Sequence, residues 1–179
     1  MTTLARRELL ALTAAGVPLA ALGSTLFASG ANAATTPTAL LHDATLPDAR
    51  RFAARAAQLG QTSQALAGDP VRQAQALFAR RPQVVFGVSR ASDRLLFAEV
   101  AREAGYEELV QIAQRAGCIH ESRCRSGAEA FGALARASGP NWPCAFAELA
   151  LGAAPLTDAL EIQRADAPTS FSWVLRRKG

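Results

Sequence analysis

Two short runs in this sequence carry side chains that hold small molecules, and each directly follows an apolar run of strand length. His42-Asp43 and Thr45 come after residues 38–41, while Ser89-Arg90, Ser92 and Asp93 come after residues 83–88. Arginine offers a planar fork to carboxylate or phosphate, and serine and threonine hydroxyls donate to anions. Together, His42, Asp43, Thr45, Ser89, Arg90, Ser92 and Asp93 make a candidate site for a small polar or anionic molecule. The same residues have a plainer reading: Ser89 as a helix N-cap and Asp93 as an acid answering the positive end of a helix. A third reading is enzymatic. His42 or His120 with Asp43 or Asp93 supplies an imidazole–carboxylate pair for general acid–base work, with a pH limb near the ordinary imidazole value of about 6.5.

Other chemistry is thinner. Gly87-Val88-Ser89-Arg90-Ala91 resembles the nucleophile elbow of hydrolases with Ala in place of the last Gly, but the only histidine after Ser89 is His120, which fits the usual order of partners poorly. Neither a Gly-x-Gly-x-x-Gly fingerprint nor a phosphate loop ending in Gly-Lys-Ser/Thr occurs, so dinucleotides held in the usual way are excluded. Flavin mononucleotide needs no such fingerprint, yet Thr45 alone is scant support for its phosphate, and no cofactor is assigned. Cys118, Cys124 and Cys144 leave three alternatives open: a Cys118–Cys124 disulfide closing a small loop, structural thiols, or a Cys3His metal set with His120. Trp142 and Trp173 read as packing residues.

These residues need a frame, and hydrophobic periodicity supplies one. Residues 38–42, 64–67, 83–88, 108–112 and 170–175 read as strands. Helical patterns fill 46–59, 70–78, 90–103, 126–137 and 140–152. Thr45 with Asp48, Asp69 before Pro70, and Ser126 with Glu129 are candidate helix starts, and Gly60, Gly105 and Gly152 are candidate stops. Strand–helix alternation predicts an α/β, three-layer α/β/α sandwich around a mostly parallel sheet of about five strands, Rossmann-like without its dinucleotide fingerprint. The expected strand order is 2-1-3-4, with the last strand at an edge. In such sheets ligands bind beyond the carboxyl ends of adjacent strands whose crossovers leave on opposite faces, which is where both runs fall.

The chain has 179 residues, half of them hydrophobic and 19% charged, a globular composition that excludes a disordered or collagen-like chain. Its net charge of +4 comes from basic residues that are dispersed apart from Arg80-Arg81 and Arg176-Arg177-Lys178, without interleaved aromatics, so nucleic acid is not an expected partner. Residues 1–33 combine Arg6-Arg7, Leu9-Leu10, an apolar stretch interrupted by Gly16, Pro18 and Gly23, and Ala31-Asn32-Ala33. This segment resembles a twin-arginine export signal, with Glu8 as a departure. The resemblance implies cleavage after residue 33, a flexible leader over 34–37, a single domain over 38–179, and a periplasmic location. It also implies the export machinery and a signal peptidase as partners, no permanent membrane anchor, and a route that admits a cofactor acquired before export. Leu40 to Asp43, Gly68-Asp69, Gly87-Val88-Ser89 and Ser172-Trp173-Val174 resemble the bodies of small proteobacterial proteins exported with such signals. That likeness implies fold and compartment but no activity.

Overall fold

A computed structural model describes residues 37–153 and 167–179. Residues 1–33, where an export signal is expected, and 34–36 of the expected leader lie outside them. The described elements run β1 (Thr38–His42), α1 (Pro47–Gln58), β2 (Gln64–Ala65), α2 (Pro70–Ala79), β3 (Val84–Ser89), α3 (Ala91–Glu103), β4 (Tyr106–Arg115), β5 (Cys118–Cys124), α4 (Glu129–Ser138), a 3-10 turn (Gly139–Asn141), α5 (Trp142–Leu151) and β6 (Ser170–Arg177). None of these helices is long and apolar enough to cross a membrane.

All six residues of β3 are buried, as a strand covered on both faces requires. On one face Phe52 and Ala56 of α1, Phe131 and Ala135 of α4, and Trp142 and Phe146 of α5 pack on Leu40, Phe86, Ile112 and Val174. Ala74, Leu77 and Phe78 of α2 with Phe97 and Ala101 of α3 cover the other, over Leu41, Val85 and Trp173. Each large side chain so buried contributes roughly 2 kcal/mol relative to exposure. Asp69 caps α2 as its spacing predicts, its carboxylate accepting from the Val71 and Arg72 amides. The other two candidate starts differ. The N-cap of α1 is Leu46 and that of α4 is Ala128, neither with a side-chain cap.

The sheet is α/β in kind but mixed in direction. It is open, with six strands in the order β2-β1-β3-β6-β4-β5. Only β1–β2 and β1–β3 are parallel, and β3–β6, β6–β4 and β4–β5 are antiparallel. The expectation of a mostly parallel five-stranded sheet therefore needs two corrections. The first concerns β6, which is not an edge strand but sits between β3 and β4. Its place is fixed by packing: Gly87 lies opposite Trp173, and a Cβ on Gly87 would fall 2.1 Å from the indole ring. The second concerns residues 118–124, expected to be a loop, which form β5. Arg115 pairs with Cys118 across Ala116-Gly117, whose φ angles of +50° and +77° suit a two-residue hairpin turn.

Candidate functional site

The carboxyl ends of β1 and β3 lie side by side, with Leu41 opposite Gly87 and His42 opposite Val88. From there α1 packs on one face and α3 on the other. The two connections thus leave these parallel strands on opposite faces of the sheet, the topological switch point at which open α/β sheets bind ligands.

Asp43 and Arg90 meet at that switch point. Arg90 Nε lies 3.2 Å from Asp43 Oδ2, and Arg90 Nη2 donates to Thr45 Oγ1 at 2.8 Å. Asp43 Oδ1 accepts from the Thr45 amide at 2.9 Å and the Thr45 hydroxyl at 2.6 Å. Asp43 is anchored in turn, its own amide donating to the Val88 carbonyl as a continuation of the strand ladder. The two partners differ in access: the Asp43 side chain is 8% exposed and that of Arg90 58%. Asp93 sits in the first turn of α3, half-buried. Burial, and then the negative charge of Asp43, push its carboxyl above the usual range, against the pull of Arg90 and a hydrogen bond from Ser92. Ser92 is exposed, and Arg90, as N-cap of α3, offers no side-chain cap to the first amides of that helix.

Two residues of the candidate set stand apart. Ser89 is fully buried, accepting from Trp173 Nε1 at 3.0 Å and donating to the Arg90 carbonyl at 3.1 Å. It is neither the N-cap nor an exposed nucleophile, because the incoming indole consumes its hydroxyl. His42 turns to Ser63, with Nδ1 2.8 Å from Ser63 Oγ. Burial lowers its pKa, against Asp43 and a backbone contact at Gln64, so the ring is neutral near pH 7.

The cysteines do not converge. Cys118, Cys124 and Cys144 form no disulfide. Cys118 and Cys124 end a seven-residue strand, about 20 Å apart at strand spacing. Between them Gln114 pairs with Ile119 and Ala113 with Glu121, so His120 is an extra, bulged residue that reverses the alternation. Cys118 and His120 are exposed, whereas Cys124 packs against the core, where burial raises its thiol pKa. Cys144 lies on α5. No group of three or more His, Cys, Asp or Glu side chains among the described residues is arranged to hold a metal.

Some polar residues at this rim carry no motif in the sequence. Ser170 donates to Asp48 Oδ2 at 2.6 Å, and both are buried. Gln114 lies opposite Ser170, 1% exposed, and neither of its amide atoms has a hydrogen-bond partner. The pairings Ser63–His42 and Asp48–Ser170 join residues 21 and 122 positions apart, beyond the reach of local patterning.

Compared with known proteins, the chain matches no family model, no curated protein and no solved structure.

Proposed function

We propose that this chain is an exported, periplasmic protein that binds a small polar or anionic molecule at the rim formed by Asp43, Thr45, Arg90, Ser92 and Asp93. The observation that carries the reading is the Asp43–Arg90 contact across β1 and β3, with the guanidinium largely exposed. One cation stands there between two carboxylates, and an arriving anion must compete with Asp43 for it. The geometry therefore favours a ligand that brings an acceptor for Arg90 together with a donor for Asp93. The uncapped amides at the start of α3 add donors, and the Gln114 amide is a further polar group on the same rim. Calorimetry and thermal-shift screening of wild type against Arg90→Ala over a panel of small acids and polyols tests the site, and identical responses would rule it out.

Export rests on residues 1–33. Replacing Arg6-Arg7 with two lysines should hold the chain in the cytoplasm, and the mature product recovered from the periplasm should begin at Ala34.

A second reading has one observation behind it. A neutral imidazole 2.8 Å from a serine hydroxyl is the arrangement a general base requires, so His42 with Ser63 supports a small periplasmic enzyme. Abolition of a turnover by both His42→Gln and Ser63→Ala, with binding intact, would favour it over simple binding. A redox or metal accessory role through Cys118, His120, Cys124 and Cys144 has no comparable support, since these residues do not meet.

A further inference from the structure

An open groove of about 710 Å³ lies at the other end of the sheet, where α2 and α3 finish and β4 begins. Its apolar lining is the half-buried Val100 with the edges of Phe78 and Tyr106, 5% and 2% exposed, and its cations are Arg81, Arg177 and Lys178, against one lining carboxylate, Glu103. The Tyr106 hydroxyl is already used, donating to the Pro82 carbonyl at 2.6 Å. None of the three cations makes an ion pair with a carboxylate among the described residues, whereas Arg125 and Arg176 nearby both pair with Glu107.

Arg81 adds an independent observation. It follows the C-cap of α2, its amide donating to the Phe78 carbonyl, with φ at +53°. The matching position after α3 is Gly105, at +84°. Glycine takes this left-handed conformation without a steric penalty and arginine does not. The only other non-glycine residue with positive φ among those described is Ala116, which the hairpin turn explains. Helix termination accounts for the left-handed backbone at both positions, but at position 81 it is adopted by an arginine, an exposed cation lining the groove, instead of the glycine that takes it without cost.

We propose that this groove binds a small organic anion with an apolar body, a carboxylate on an aromatic or short aliphatic frame, the body against Phe78, Val100 and Tyr106 and the charge between Arg81, Arg177 and Lys178. The volume is within the usual range for such ligands. The site is separate from the rim around Arg90, at the opposite end of the strands, and does not depend on it.

Isothermal titration of the full chain with 1-naphthoate and with octanoate, and with 1-naphthamide as the neutral control, tests this. Both carboxylates should bind, the amide at least about 10-fold more weakly. Raising NaCl from about 50 to about 500 mM should weaken the carboxylates several-fold. Arg81→Gly should melt at or above the wild-type temperature yet lose about 10-fold in carboxylate affinity, a pairing that a purely structural arginine does not produce. Arg177→Gln with Lys178→Gln should lose at least as much, and Arg72→Ala, on the exposed amino end of α2, should change nothing. The proposal is overturned if neither carboxylate binds, if the amide binds equally well, or if Arg81→Gly retains wild-type affinity. Binding to phosphatidylglycerol vesicles without binding of free carboxylates would also overturn it, in favour of a membrane surface.

Discussion

The two halves of the sheet are held together on different principles. In β2-β1-β3 the strands are parallel, short and linked through helices, and β3 is buried along its whole length. In β6-β4-β5 they are antiparallel and longer, and the outermost, β5, is largely exposed and broken by a bulge at His120. The seam between the halves is β3–β6, where Trp173 fills the space left by Gly87 and Trp142 donates to Ser172. A second link runs above one face, where Arg55 of α1 meets Glu148 of α5 at 2.8 Å and the Phe52 and Phe146 rings lie 5.6 Å apart. The contacts that join the two halves thus lie in the seam and above it, apart from the Asp43–Arg90 rim.

Breaking the seam should have the largest effect. Gly87→Val places carbon atoms where the indole now lies, and should cost at least about 3 kcal/mol in urea unfolding or prevent recovery of folded protein. Arg55→Ala should cost roughly 3 kcal/mol, since it leaves the Glu148 carboxylate, 3% exposed, buried without that cation. By contrast Arg125→Ala, on the exposed side of the antiparallel half, should cost less than about 1 kcal/mol. Arg90→Ala should cost less than Arg55→Ala, because Asp43 keeps both hydrogen bonds from Thr45, while removing the ligand response, which separates binding from the seam.

The smallest effect is a pH dependence. Asp93 has a raised pKa, so the folded chain holds its proton more tightly than the unfolded chain does. Stability contributed by this group therefore falls as pH rises through the carboxylate range. Asp93→Asn should match wild type below about pH 3.9 and be the more stable of the two at pH 7, as measured by thermal melts across that range. The opposite sign would mean that the helix dipole outweighs burial at this position.

The sequence made the parallel half legible and misread the other. Apolar runs and helix signals placed β1, β3 and the intervening helices because each pairs with a neighbour in the chain order, and from that alone Asp43 and Arg90 could be set on a common rim. The position of β6 could not be read this way. What inserts it between β3 and β4 is the fit of Trp173 against Gly87, a contact between residues 86 positions apart. The β4–β5 hairpin has no local signal because its turn is Ala116-Gly117, without the Asn or Asp that usually marks such turns. Within the site, local patterning offers Ser89 as an anion donor or N-cap and gives no sign of the Trp173 indole that donates to it, and Ser63 carries no signal at all.

The insertion of β6 also bears on how the chain acquires its structure during synthesis. In the folded chain β6 fills the gap between β3 and β4, so whatever β3 and β4 form once residue 115 has been made lacks that partner until residue 177. At a translation rate of about 5–20 residues per second, that interval lasts roughly 3–12 s, long enough for an open strand edge to recruit another nascent chain or a chaperone.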